Sequence, residues 1–157
     1  MKTRKYITAR HAENWHTTKE NPGLTPRGVW QALRNGFLAR CAGMHNITFL
    51  TSPAKRCVQS ARIVQLFFPE TWFKPNRFQI HTLLYVSFRD GTMITDERKA
   101  EITKLVDACP GDTFVSTHSQ VLTKERPGYK VDPGGAYLRR GTHITLFSGI
   151  ERALEIH

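Results

Sequence analysis

The stretch KYITARHAEN, residues 5 to 14, decides how the rest of the chain is read. Residues 5 to 9 read as a short buried strand, and Arg10 and His11 follow it directly. A guanidinium beside an imidazole at the C-terminal end of a strand suits a core poorly. It suits anion binding and chemistry well, because ligands of open α/β sheets collect at the carboxyl ends of the strands.

Working outward, a polar loop from Glu13 to Leu24 precedes LTPRGVWQALRNGFLARCAG, which reads as a helix. Thr25 is its N-cap, Pro26 occupies its first position, and Val29, Leu33, Phe37 and Leu38 recur at helical spacing. NITFLTS is a second strand. PAKRCVQSARIVQLFF is a second helix, with Ser52 as N-cap, Pro53 at its first position and Pro69 as its stop. FQIHTLL is a third strand candidate, followed by the loop YVSFRDGT. TDERKAEITKLVDAC is a helix with acids in its first turn, where the macrodipole favours them. TFVST is a fourth strand ending at His118, and THITLFS closes the chain as a strand after the turn-rich KERPGYKVDPGG. Strands alternating with helices predict an α/β fold: one domain over residues 1 to 157, with a mainly parallel central sheet covered by helices on both faces.

Composition sets the partner class. The 157 residues carry 23 Lys and Arg against 13 Asp and Glu, a formal net charge of +10 that favours anionic partners. No basic run, recognition module or basic-aromatic stripe points to nucleic acid. No apolar run is long enough to span a bilayer, so no membrane association is expected and the cytoplasm is the expected location. Cys41, Cys57 and Cys109 are odd in number and widely spaced, which argues for reduced, buried thiols rather than disulfides or a zinc site. His16, His45, His81, His143 and His157 lack metal-ligand spacing, and no metal or cofactor is expected. Trp30 and Trp72 read as packing residues, and Trp15 as a candidate for the substrate mouth.

Three of the predicted strands bring basic or imidazole groups to one edge: Arg10 and His11 after the first, Arg56 on the helix following the second, and His118 after the fourth. Guanidinium forks match phosphate oxygens, so this set suits a phosphoryl group.

The segments RHAEN, LTPRGVWQA, SPAKRCVQSA and VSTHS, in that order, resemble the motifs of the histidine phosphatase superfamily, the phosphoglycerate-mutase-like proteins. The resemblance spans roughly residues 5 to 120, and the short length is most similar to the compact bacterial branch that includes phosphohistidine phosphatases. It implies a metal-independent phosphatase acting on a phosphorylated small molecule or protein. His11 would be the nucleophile, with Arg10, Arg56 and His118 binding the transferring phosphoryl oxygens. The resemblance leaves two carboxylates for the leaving-group acid, Asp90 in the loop after the third strand and Glu13 beside the nucleophile. It also shows two departures: Ala12 stands where the family has glycine, and Pro127-Gly128 shortens the helix expected after the second histidine. These departures keep an alternative open, a catalytically weak module that binds phosphate or nucleic acid on the same scaffold.

Overall fold

The computed structural model describes residues 3–16, 21–86 and 94–154. Strands β1 (Lys5–Arg10), β2 (Thr48–Thr51), β3 (Phe78–Ile80), β4 (Thr113–Thr117), β6 (Ala136–Arg140) and β7 (His143–Ser148) form one sheet in the order β3-β2-β4-β1-β6-β7. The four strands from β3 to β1 are mutually parallel, and β6 and β7 add antiparallel to β1. Strands β5 (Tyr129–Val131) and β8 (Glu151–Ala153) make a separate antiparallel ribbon.

Side chains alternate across a strand, and that alternation divides the core in two. Ile7, Phe49 and Phe114 pack on one face with Ala39 of helix α1 (Pro26–Cys41) and Val64 of helix α2 (Lys55–Gln65). Their sequence neighbours Leu50 and Val115 pack on the other face with Ile102 and Val106 of helix α3 (Asp96–Asp107). Val121 of the short helix α4 (Ser119–Glu125) joins that second layer. The central strands are therefore apolar on both sides, as parallel strands under helices must be. Among the described residues no helix is long and apolar enough to cross a membrane.

Helix α1 forms where the sequence predicts it, with the Thr25 hydroxyl accepting from the Gly28 amide, but its inward face is not the apolar one. Gly28, Ala32, Asn35, Gly36 and Ala39 are buried, whereas Val29, Leu33 and Phe37 are exposed. The cause is close approach. A Cβ at Gly28 would lie 2.1 Å from the Glu13 carbonyl oxygen, and one at Gly36 would lie 2.3 Å from the Phe67 ring. Only glycine fits at those two positions, and the rest of the inward face is filled by Gln31, Ala32, Asn35 and Ala39, so the large apolar residues face outward. Gly28→Ala is accordingly expected to destabilise by about 1–3 kcal/mol, because backbone rather than a flexible side chain stands in the way. A thermal-unfolding midpoint several degrees lower checks this.

Other expectations change in the same way. Helix α2 begins at Lys55 with Ala54 in the cap position and no side-chain cap, and the Ser52 hydroxyl accepts from the Ala54 amide (3.4 Å) and from His118 (2.9 Å). The third strand ends at Ile80, and Thr82–Leu84 form a 3-10 turn. Strand β6 was hidden behind the turn-rich DPGG and had no sequence reading. Trp30 and Trp72 are exposed rather than packed, and Cys41 is exposed while Cys57 and Cys109 are buried.

Candidate active site

The parallel register assembles the site. Arg10 pairs with Thr117 across β1 and β4, and Thr51 pairs with Ser116 across β2 and β4. The ladder runs on past the strand ends: the His11 amide donates to the Thr117 carbonyl (2.9 Å) and the Ser52 amide to the Ser116 carbonyl (3.0 Å). His11, His118 and Ser52 thus leave the same sheet edge side by side. The two imidazoles meet edge to face with ring centroids 5.6 Å apart.

Hydrogen bonds decide which ring nitrogens are free. His11 Nδ1 lies 3.0 Å from the carbonyl oxygen of Ala12, which can only accept, so Nδ1 holds the proton and Nε2 keeps its lone pair. His118 Nδ1 lies 3.4 Å from an Arg56 nitrogen, which can only donate. His118 therefore holds its proton on Nε2 and donates it to Ser52 Oγ at 2.9 Å. Both rings are buried. Burial, reinforced by Arg56 and Arg10, lowers His11 to about 4, and its bond to Ala12 only partly opposes this. Burial, then His11, Arg56 and Arg10, lowers His118 to about 3. Both are neutral at physiological pH, the state in which an imidazole can attack.

These shifts carry a stability signature. Unfolded histidine titrates near 6.5, so between that value and about 4 the unfolded chain binds more protons than the folded one. Stability is then full above about pH 6.5 and falls as the pH drops through that window. For His11 alone the displacement corresponds to about 3 kcal/mol across the window. Urea midpoints are expected to fall between pH 7 and pH 4.5, and His11→Ala is expected to flatten that slope. An unchanged slope would show that the imidazole is not buried as described.

Arg10 is held from behind. Its Nη1 donates to the Val131 carbonyl at 2.9 Å, while its Nε is buried without a partner among the described residues. Burial lowers its pKa, with Asp132 opposing. The Gly134 amide donates to the His11 carbonyl, and Gly134 adopts φ +78, which glycine alone takes without strain. The DPGG segment, read from sequence only as a turn, is therefore the brace behind Arg10 and His11. Among the described residues no carboxylate pairs with Arg10 or Arg56. Two guanidiniums and an unpaired buried N–H at one strand edge are a ready anion site.

Ala12 needs no glycine. It is absent from the residues with positive φ, it is buried, and its amide donates to Ser60 Oγ at 2.9 Å. The Glu13 carboxylate turns to the start of α1, where it accepts from Thr25 Oγ1 (3.0 Å) and lies 3.8 Å from Arg27. Asp90 lies outside the described residues. A cleft of about 310 Å³ opens beside Arg56, lined also by Asn21, Pro53, Ala54, Thr82 and Tyr85. Tyr85, whose ring lies edge-on 5.6 Å from that of His118, went unnoticed in the sequence because it sits in a loop without a motif. Trp15 is exposed and does not line that cleft. Among the described residues no cluster of three or more His, Cys, Asp or Glu is arranged to hold a metal ion.

No family model and no curated protein sequence matches the chain. Solved structures do. The chain is similar to an alpha-ribazole phosphatase from Shigella flexneri, at 16% identity and TM-score 0.62, covering 98% of this chain and 99% of that one. It is similar to a mycobacterial glucosyl-3-phosphoglycerate phosphatase solved with VO3, at 11% identity and TM-score 0.63, covering 91% and 96%. A third structure, from Agrobacterium tumefaciens and provisionally described as the phosphohistidine phosphatase SixA, matches at 16% identity and TM-score 0.65, covering 96% and 99%. The likeness is one of fold: the chain has the phosphoglycerate-mutase-like fold of these structures.

Proposed function

We propose that the protein is a metal-independent histidine phosphatase that hydrolyses a phosphomonoester or a phosphorylated protein. The observation that carries this reading is the bond from His11 Nδ1 to the Ala12 carbonyl, which leaves Nε2 as a neutral nucleophile beside Arg10, Arg56 and His118. Nε2 attacks phosphorus, the bond from phosphorus to the leaving oxygen breaks, and a phosphohistidine forms. Arg56 exchanges its contact with His118 for the phosphoryl oxygens, and Arg10 receives them with the donors that Val131 does not use. The positive charge that a metal supplies elsewhere comes here from the guanidiniums.

We assign the leaving-group proton to Asp90 from its sequence position, since Thr25 and Arg27 already engage the Glu13 carboxylate. Water then attacks the phosphohistidine, gives up a proton to the same acid, and releases phosphate from His11. The similar structures named as phosphatases support a phosphorylated substrate. The test is phosphate release from an aryl phosphate with a chelator present, together with capture of acid-labile phosphate on the protein. Release that stops on chelation would exclude the mechanism.

A further inference from the structure

The group on the far side of the scissile bond needs a place beside the phosphoryl site, and the cleft of about 310 Å³ at Arg56 lies there. Two of the side chains that line it also touch His118. An Arg56 nitrogen lies 3.4 Å from His118 Nδ1, and the Tyr85 ring meets the imidazole edge-on with centroids 5.6 Å apart. The cleft therefore adjoins the sheet edge where His11 and His118 meet. Its volume stands near the lower end of the range for small-molecule sites, about 300–1,000 Å³, and suits one compact group.

The backbone that carries Tyr85 is tied down along its length. Arg98, in the first turn of α3, donates from Nε to the Leu83 carbonyl (2.9 Å) and from Nη2 to the carbonyls of Thr82 (3.4 Å) and Tyr85. Thr117 Oγ1 donates to the Leu84 carbonyl (2.8 Å). Every carbonyl from Thr82 to Tyr85 thus has a side-chain donor, and the wall is formed before a ligand arrives, which leaves little ordering to oppose binding. Pro53 and Ala54 add apolar surface, and none of the described lining residues is acidic. The other two, Tyr85 and Arg56, both suit a flat ring. Aromatic rings pair edge to face or offset, and a guanidinium stacks on a ring while its in-plane N–H groups stay available to phosphoryl oxygens.

We infer that this cleft receives the leaving group and that Tyr85 selects an aromatic one. The substrate is then an aryl phosphomonoester, either a free phenol ester or the side chain of a phosphotyrosyl protein. The inference rests on the phosphatase reading, which places the phosphoryl group between Arg10, Arg56 and His118. Recognition of the ring can nevertheless be measured without turnover.

The experiment titrates the whole protein with two phosphonates, in which carbon replaces the ester oxygen so that nothing is hydrolysed. Benzylphosphonate mimics phenyl phosphate, and cyclohexylmethylphosphonate has the same length and a similar bulk without an aromatic face. Benzylphosphonate is expected to bind about three- to tenfold more tightly, the usual gain of an aromatic pair beyond its area burial, and to shift the amide resonances of Ala54 and Tyr85. Tyr85→Ala is expected to abolish that preference, and Tyr85→Phe, which keeps the ring, to retain it. Equal binding of the two phosphonates by the wild type, or a preference that survives Tyr85→Ala, overturns the inference. A short peptide bearing phosphonomethylphenylalanine separates the two sources: binding at least as tight as that of benzylphosphonate assigns the ring to a protein, and weaker binding assigns it to a free ester. Phenyl phosphate left intact by a protein that shows the preference would overturn the phosphatase reading and leave the ring site standing. Hydrolysis without the preference would do the reverse.

Discussion

His11→Ala is expected to remove metal-independent phosphate release by a factor on the order of 10⁴ to 10⁶, the cost of deleting a nucleophile whose partners act with it as a unit. The expectation follows from one bond. The Ala12 carbonyl can only accept, so the proton of His11 is pinned to Nδ1 and Nε2 is the nitrogen left with a lone pair for the proposed attack. Alanine provides no nitrogen, and among the described residues the other imidazole on this edge, His118, spends its Nε2 on Ser52 and faces Arg56 with Nδ1. Its lone pair is on Nδ1, the nitrogen that faces Arg56, rather than on the Nε2 that His11 leaves free. The measurement is initial rate together with phosphate trapped on protein after rapid denaturation. Wild type should accumulate acid-labile, base-stable phosphate, and the variant none. Equal turnover in the two proteins would eliminate His11 as nucleophile.

Arg56→Ala is expected to cost on the order of 10²- to 10³-fold in kcat, the usual effect of deleting a donor that meets charge as it develops on the reacting group. Arg56 is informative because its side chain is half-buried and its contact among the described residues is the 3.4 Å approach to His118 Nδ1. Removing it should leave the thermal midpoint near that of wild type. Arg10→Ala should behave differently, since Arg10 also ties β1 to the Val131 carbonyl and its loss should lower both rate and stability. A rate for Arg56→Ala within a few-fold of wild type would place the phosphoryl group elsewhere on the edge. Guanidinium added to the assay, by partly restoring the rate, would tie the effect to charge rather than to a shifted helix.

The strands β1, β2 and β4, the helices α1, α2 and α3, and the arrival of Arg10, His11, Arg56 and His118 at one sheet edge were legible in the sequence. Each rests on local information: Thr25 and Pro26 at a helix start, apolar runs of strand length, and polar residues standing directly after those runs. Strand order and register were not legible, because the pairing of Arg10 with Thr117 joins residues more than a hundred positions apart. The direction in which α1 faces was misread for a related reason. Helical spacing shows that a stripe exists, but which stripe turns inward depends on how near the neighbouring backbone comes. Here the Glu13 carbonyl and the Phe67 ring leave room for glycine alone at positions 28 and 36.

The same division runs through the site. Residue types and their order determined that this chain would gather two arginines and two histidines. The tertiary structure alone decided their states. Burial holds both imidazoles neutral, the Ala12 carbonyl and the Arg56 guanidinium choose their tautomers, and the glycine-bearing DPGG turn braces Arg10 and His11 from the neighbouring strand. Those are properties of distance and solvent access, and they come into being only when the chain has packed.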